Sequence, residues 1–240
     1  MKKTYKRILI KLSGEALSGD GTSGILSSEA LLATAKQIKK IVDMGVQVTI
    51  VNGAGNICRG SLIEKANIDR VTGDKMGMLG TVINSFAISD VLKSIGVDSV
   101  VLSAVRMEDF TPTYSIELAK ECLDKGKVVV FAGGTGKPFF TTDTCATLRA
   151  IEVGCDAIFM AKNGVEGIYD SDPRKNKDAK MFKEITCSEI ISRDLKVMDL
   201  TAVKMLIDKD IDVRVFAMKD PDNFIKILNG EDIGTVIKKG

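Results

Sequence analysis

Short apolar runs alternate with amphipathic stretches along the first 161 residues of this chain. The runs are rich in β-branched residues, which is typical of buried strands. They cover residues 6–12, 46–51, 97–102, 128–132 and 157–161. Between them, apolar residues recurring every three or four positions predict helices over 31–42, 73–92 and 115–124, and a further helix capped at 141–143. This alternation predicts a mostly parallel sheet with helices on both faces.

The sequence pattern changes in the last third of the chain. Residues 162–173 are polar and rich in turn formers, and the charged stretch that runs on to Lys180 is interpreted as a solvated loop. Asp199 is a plausible N-cap for a helix around 203–207. The remaining predicted elements are a strand at 211–217, a helix at 221–228 and a strand at 234–237.

Glycine-rich turns follow two of the predicted strands. Residues 133–136 read Gly-Gly-Thr-Gly, and residues 52–56 read Asn-Gly-Ala-Gly-Asn, with Arg59 close behind. A strand, a glycine turn and a helix N-terminus together present backbone N–H groups to an anion, so we interpret the turn at 133–136 as a phosphate cradle. The alternative is a glycine-rich connection without a ligand. Neither turn matches GxxxxGK[ST] or GxGxxG.

Several single residues have both a functional and a structural interpretation. Lys11 is either a point charge placed for a phosphate or an edge residue that reaches solvent, and Arg59 is either a phosphate ligand or a solvated loop charge. Tyr169 either packs a purine ring or covers the core. Lys11, both glycine turns and Lys162 follow the carboxyl ends of predicted strands, where parallel sheets bind ligands.

The helix predicted over 73–92 is apolar around much of its circumference. Asp74 is a natural N-cap for it. Met76 and Met78 add apolar surface beyond one buried face, which suggests packing against a second subunit.

Composition narrows the chemistry. With 240 residues, 45% of them apolar, and a net charge of +2, the chain has the profile of a globular protein without a nucleic-acid or membrane partner. Five cysteines without a CxxC pair favour reduced thiols and a cytoplasmic protein, and no residue is assigned as a metal ligand. The absence of histidine excludes Ser-His-Asp and Cys-His catalysis.

Six segments together resemble the bacterial uridylate (UMP) kinases of the amino acid kinase family. They are KLSG (11–14), NGAGNICRG (52–60), GDKMGMLGTVIN (73–84), GTGKPFFTTD (134–143), AKNGVEGIYDSDP (161–173) and LKVMDLTA (195–202). The resemblance implies one domain over 1–240, an αβα sandwich around a mostly parallel twisted sheet. Residues 1–161 would form mainly the UMP half with the first phosphate loop, and 162–240 mainly the half for the ATP nucleoside.

The same resemblance implies ATP-dependent phosphorylation of UMP, with Mg²⁺ accompanying ATP, in a homohexamer built from dimers. Its catalytic residues would be Lys11, Asp143 and Asp199, the two carboxylates orienting the lysine and the metal. ATP would contact Lys11, Leu12, Ser13, Gly14, Gly55, Arg59, Asn163, Tyr169 and Asp172. UMP would contact Ala54, Asp74, Thr135, Gly136, Lys137, Pro138, Phe139, Phe140, Thr141 and Thr142.

Two departures from the family pattern bear on this assignment. Ala54 stands where the family often has glycine, and a mild effect is expected because its methyl group is small. The segment 21–26 reads GTSGIL where many relatives have GFGID, which argues against activation by GTP, whereas feedback inhibition by UTP is a general family expectation. The alternatives are another phosphotransferase of the family, acting on acetylglutamate or carbamate, or a non-catalytic nucleotide-binding or storage protein.

Overall fold

The structure, a computed structural model, describes residues 4–19, 24–162, 164–220 and 222–240. These residues form one eight-stranded sheet with helices on both faces. The strands are β1 (Arg7–Leu12), β2 (Gln47–Asn52), β3 (Ser99–Ser103), β4 (Val128–Ala132), β5 (Ala157–Lys162), β6 (Glu184–Thr186), β7 (Asp212–Ala217) and β8 (Thr235–Lys238). The helices are α1 (Glu15–Ser18), α2 (Ser28–Asp43), α3 (Gly60–Lys65), α4 (Arg70–Ser94), α5 (Ile116–Asp124), α6 (Thr142–Val153), α7 (Cys187–Ser192), α8 (Leu200–Leu206) and α9 (Asn223–Leu228).

The strand order is β3-β4-β2-β1-β5-β7-β8-β6. Pairing is parallel throughout except between β7 and β8. The register aligns Lys11 with Val51 and Val51 with Phe131, so the carboxyl ends of β1, β2 and β4 lie side by side, with β5 next to β1. The predicted sandwich around a mostly parallel sheet is confirmed.

The sheet is buried on both faces. On one face Val129 and Ile158 pack with α5, α6, α7 and α8. On the other face Ile50 and Phe159 pack with α2, α4 and α9. Because helices cover both faces, the central strands read as continuous apolar runs rather than as alternating sequences.

The structure corrects two expectations about charged residues. β1 lies between β2 and β5, so the alternative that placed Lys11 at a sheet edge is wrong. The expectation that Asp74 caps the long helix is also wrong, because the helix begins one turn earlier. Its N-cap is Asp69, whose carboxylate accepts from the N–H groups of Val71 and Thr72 at 3.0 and 3.2 Å.

The structure also differs from the sequence predictions in several short elements and at the end of one helix. Four short elements, α1, α3, β6 and α7, are not predicted by the sequence pattern. The C-terminal helix is described from Asn223, and its expected start at Pro221 lies outside the described residues. Among the described residues, no helix has the length and apolar character needed to cross a membrane.

Candidate active site

The turns that follow β1 and β2 are in backbone contact. The Gly53 N–H donates to the Leu12 carbonyl at 2.9 Å. A Cβ placed on Gly14 would lie 2.7 Å from the Gly55 nitrogen, so a side chain at position 14 would displace the neighbouring turn. The segments 12–14 and 53–55 therefore form one continuous surface of backbone groups at the end of the sheet.

An ion pair occupies the centre of this edge. Lys11 Nζ lies 3.1 Å from Asp143 Oδ1, and the two side chains are 18% and 17% exposed. Lys162, at the end of β5, donates from Nζ to the Val197 carbonyl at 2.6 Å. Burial lowers the pKa of Lys162, the charge of Asp143 opposes this shift, and the charge of Lys11 adds to it. The three groups therefore interact electrostatically, with two ammonium groups near one carboxylate.

Asp199, the N-cap of α8, lies in the same region. It caps α8 by accepting from the Ala202 N–H at 3.0 Å, and its other oxygen accepts from Thr144 Oγ1 at 2.8 Å and from the Thr141 hydroxyl. Burial acts to raise the pKa of Asp199, but these hydrogen bonds outweigh burial and lower it. The predicted catalytic residues Lys11, Asp143 and Asp199 are thus gathered around the first turn of α6.

A cavity of about 410 Å³ opens between the ends of β2 and β4, with α4 as its side wall. Its volume is within the range of small-ligand sites. Eight of the residues expected to contact nucleotide line it: Ala54, Gly55, Asp74, Thr135, Lys137, Phe140, Thr141 and Thr142. We call it the acceptor pocket. A second cavity, of about 380 Å³, contains Asp143 and Asp199 and shares Thr141 with the acceptor pocket.

The turn after β4 uses its own backbone donors. Gly133, Gly134 and Gly136 have φ angles of 74°, 58° and 76°, which glycine adopts most readily. The Gly133 N–H donates to Thr81 Oγ1 and the Gly136 N–H to the Gly133 carbonyl, both at 2.9 Å. Two N–H groups of the turn are therefore engaged within the protein, and the phosphate cradle stays a prediction for the other donors. Gly134 and Thr135 of the turn line the acceptor pocket.

The N-terminus of α6 is capped in a similar way. Thr141 Oγ1 accepts from the N–H groups of Asp143 and Thr144 at 3.1 and 3.2 Å. Two of the first backbone donors of the helix are therefore occupied by its own cap rather than directed at an anion.

Asp74 connects α4 to the segment after the glycine turn. Arg70 Nε lies 3.0 Å from each of its carboxylate oxygens, and the Phe139 N–H donates to Oδ2 at 2.7 Å. Phe139 has a φ of 72° and its ring is exposed, and it lies outside the pocket wall together with Gly136 and Pro138. Asp74 is therefore part of the pocket wall and also fixes the position of the segment that closes it.

The remaining predicted ATP residues are less closely gathered. Arg59 is exposed and donates from Nε to the Gly55 carbonyl at 3.2 Å. Tyr169 forms an isolated bridge with Met181, and Asp172 pairs with Arg174. In the part of the chain that the structure describes, no hydrogen bond or ion pair joins Tyr169 or Asp172 to the ion pair at the sheet edge. Asn163 lies outside the described residues.

The residues that hold the turns from behind are not among the site residues predicted from the sequence. Asn84 is fully buried and donates from Nδ2 to the Gly53 carbonyl at 2.8 Å and to Asn56 Oδ1 at 2.9 Å. Thr81 accepts from Gly133, as described above. The available signal was the presence of polar residues on the face of the 73–92 helix that packs on the sheet.

Comparison with known proteins agrees with this geometry. The sequence profile described as the amino acid kinase family matches residues 6–217. The uridylate kinase of Oenococcus oeni is 48% identical over 235 residues, covering 98% of this chain and 97% of its own length. The uridylate kinase of Streptococcus thermophilus is 47% identical over 233 residues, covering 97% and 95%.

Solved structures give the same result. The crystal structure of a UMP kinase from Bacillus anthracis matches with a TM-score of 0.95 and 41% identity, covering 98% of this chain and 97% of that one. The identities and coverages confirm the resemblance found in the sequence motifs. This chain belongs to the amino acid kinase family.

Proposed function

We propose that this protein transfers the γ-phosphoryl group of ATP to UMP, giving ADP and UDP. The observation that carries the proposal is the largely buried Lys11–Asp143 ion pair. Lys11 directly precedes the backbone surface at 12–14 and 53–55, and Asp143 directly follows Thr141 and Thr142 of the acceptor pocket. The uridylate kinases that resemble the chain over nearly its full length support UMP as the acceptor.

The chemistry requires alignment more than covalent help. A phosphate oxygen of UMP attacks the γ-phosphorus, and the bond from that phosphorus to the β-phosphate oxygen breaks. Lys11 supplies positive charge where negative charge accumulates, and Asp143 holds its ammonium group in place. The acceptor phosphate is already ionised at neutral pH, so no general base is needed and the absence of histidine is no obstacle.

Each nucleotide has its own set of residues in this proposal. The ATP phosphates lie along Leu12, Ser13, Gly14 and Gly55 with Arg59 beside them, and Asn163, Tyr169 and Asp172 hold its nucleoside. UMP fills the acceptor pocket, with Asp74 on its ribose and the segment 135–142 around the remainder. Residues 1–161 then form mainly the acceptor half of one domain, and 162–240 mainly the half for the ATP nucleoside.

Mg²⁺ bound with ATP fits the donor set at the sheet edge. Mg²⁺ prefers one or two carboxylates together with phosphate oxygens and water. Asp143 and Asp199 line one cavity, and Asp143 Oδ1 is buried with an ion pair but no hydrogen bond. When bound, the ion neutralises phosphate charge. Among the described residues, no group of three or more acidic or thiol side chains is arranged to hold a metal ion.

Self-association is the other part of the proposal. Four apolar side chains with 37–55% exposure lie along α4: Met76, Leu79, Ile83 and Phe86. A stripe of this kind on one helix is suited to a second copy of the chain, in line with a homohexamer built from dimers. UTP remains the expected feedback inhibitor. GTP activation is not expected, and residues 21–23 of the segment concerned lie outside the described residues.

The decisive experiment measures ADP release with UMP, CMP, AMP and GMP as acceptors. UMP should give the highest kcat/KM. Release of ADP with acetylglutamate or carbamate but with none of the nucleotides would reject the proposed acceptor. Binding of ATP and UMP without ADP release would indicate a non-catalytic nucleotide-binding protein.

A further inference from the structure

A buried charged cluster lies behind the acceptor pocket. Arg149, in α6, is only 4% exposed, and its Nη1 donates to Glu152 Oε2 at 2.6 Å. Its guanidinium carbon lies 4.0 Å from the centroid of the Tyr114 ring. The Tyr114 hydroxyl donates to the same Glu152 oxygen at 2.6 Å. Arginine is almost never buried to this extent unless it is paired. Here its two partners, Glu152 and Tyr114, are also hydrogen-bonded to each other.

The cluster touches the wall of the pocket without lining the pocket. Arg149 Nη2 donates to the Gly134 carbonyl at 3.3 Å, and the guanidinium carbon lies 5.9 Å from the Phe131 ring centroid. Gly134 and Phe131 line the acceptor pocket, as does Cys145, one turn before Arg149 in α6. Tyr114 meets Phe131 edge to face, with ring centroids 5.4 Å apart. The cluster therefore forms a supporting layer beneath three pocket residues.

The glycine turn needs such support. A turn with positive φ at 133, 134 and 136 has a large backbone entropy to lose, and glycine itself does not restrict it. Thr81 holds the Gly133 N–H from α4, and Arg149 holds the Gly134 carbonyl from α6. These two contacts come from helices on opposite faces of the sheet, so they fix the turn between them.

We propose that Arg149 is a positioning residue for the acceptor nucleotide: its guanidinium, held by Glu152 and the Tyr114 ring, fixes the Gly134 carbonyl and thereby the turn that forms the pocket wall. This inference rests on the proposed function for the identity of the acceptor. The fork of Arg149 bonds Glu152 with one nitrogen and Gly134 with another, an arrangement that a lysine ammonium cannot reproduce while also stacking on a ring.

The kinetic test uses Arg149→Lys, which keeps the charge opposite Glu152. A loosened pocket wall should raise the KM for UMP by about ten-fold or more, because small misplacements of a bound substrate are costly. The KM for ATP should stay within about two-fold, since the contacts of Arg149 with described residues are with Glu152, Gly134 and aromatic rings rather than with the residues assigned to ATP. Tyr114→Phe is the matched control: it removes the hydroxyl but keeps the ring under the guanidinium. Its KM for UMP should change much less.

Hydrogen exchange provides a readout that needs no acceptor. In Arg149→Lys, amides in 133–137 should exchange faster than in the wild type, while amides of β1 should be unchanged. If wild-type protein shows no ADP release with UMP, the proposed function fails, and exchange at this turn still decides the role of Arg149. A folded Arg149→Lys protein with unchanged UMP kinetics and unchanged exchange at 133–137 would overturn the inference. If that variant does not fold, Glu152→Gln takes its place, with the same expected and contrary results.

Discussion

The acceptor pocket and the segment expected to bind the ATP nucleoside are built in different ways. In the acceptor pocket, buried side chains hold the turns from behind: Asn84 bonds the Gly53 carbonyl and Thr81 the Gly133 amide. In the nucleoside segment, residues 164–183, the side-chain hydrogen bonds of residues 170–180 are local and exposed. Asp172 pairs with Arg174 two residues later, and both side chains are partly or largely in solvent.

This difference indicates where selectivity resides. Leaving a buried backbone donor or acceptor unpaired costs about 1–3 kcal/mol, so the acceptor pocket is preorganised and responds sharply to substitution. An exposed ion pair contributes about 0–1 kcal/mol, so the part of the nucleoside segment around Asp172 can change at little cost. The acceptor should therefore be chosen by a rigid wall, whereas ATP should be held mainly through its phosphates at 12–14 and Gly55.

Lys11 belongs to neither region, and its removal should have the largest effect. Lys11→Ala should lower kcat by about 10³-fold because the positive charge that we propose lies between the two phosphates is lost. UMP should still raise the melting temperature, since Lys11 does not line the acceptor pocket. Lys39→Ala is the control: it removes another ammonium group paired with a carboxylate at 3.1 Å, but on the surface. Near-normal turnover of a folded Lys11→Ala protein would contradict the assigned role.

Two aspartates test the contrast directly. Asp74→Asn weakens contacts with the Phe139 N–H and Arg70 in the acceptor wall, so the KM for UMP should rise by about 10- to 100-fold, as expected for a charged hydrogen bond. Asp172→Asn disturbs an exposed pair, so the KM for ATP should rise by no more than about five-fold. Steady-state kinetics with each substrate varied would measure both. Equal effects would mean that the two regions do not differ in rigidity.

The ends of the central strands could be predicted from sequence, and the supports of the turns could not. β1, β2, β4 and β5 are continuous apolar runs, so their carboxyl ends and the polar residues there follow from the pattern alone. The support from Thr81 could not be inferred in this way, because it comes from a helix 52 residues before Gly133. Contacts over that separation depend on tertiary packing, which periodicity does not encode.

Element boundaries failed where two residues offered the same local signal. Asp69 and Asp74 are both good N-caps before an apolar helix, and only the structure shows that the first is used. For α7 the signal was present but not used: Thr186 and Glu189 have the spacing of a capping box, and both of its hydrogen bonds form. The strand β6 (Glu184–Thr186) is too short to show the alternation of apolar and polar side chains that is typical of a strand.

A smaller effect concerns the methyl group of Ala54 in the first glycine turn. A Cβ on Gly80 of α4 would lie 2.8 Å from the Ala54 Cβ, so Gly80→Ala alone should clash with it. Combining it with Ala54→Gly should relieve a clash of about 1–2 kcal/mol, seen as a coupling energy in denaturant unfolding. Gly77→Ala is the matched control in the same helix, because nothing lies within 4 Å of its added Cβ. It should stabilise the protein by about 0.5–1 kcal/mol.

If Gly80→Ala changed the free energy of unfolding by as much as Gly77→Ala, the result would mean that α4 can shift freely relative to the turn. The acceptor wall would then be less rigid than the contacts of Asn84 and Thr81 indicate. The double-mutant cycle thus measures the stiffness of the wall without any ligand, and it separates this property from the kinetic effects of Asp74.

The smallest expected effect is the pH dependence of stability that Asp199 contributes. Its folded-state pKa is below the ordinary value of 3.8, because hydrogen bonds from Thr141, Ala202 and Thr144 outweigh burial. The folded protein therefore binds fewer protons at this site, so the stabilisation is complete above the ordinary value and is lost as the pH falls through the folded-state pKa.

Asp199→Asn keeps an N-cap but cannot ionise. The melting temperatures of wild type and variant should differ most at neutral pH, and the difference should shrink as the pH falls below 3.8. Asp178→Asn, on an exposed turn, controls for the loss of one charge. If the difference in melting temperature between wild type and Asp199→Asn stayed constant down to pH 3, the Asp199 carboxylate would not be held by these hydrogen bonds.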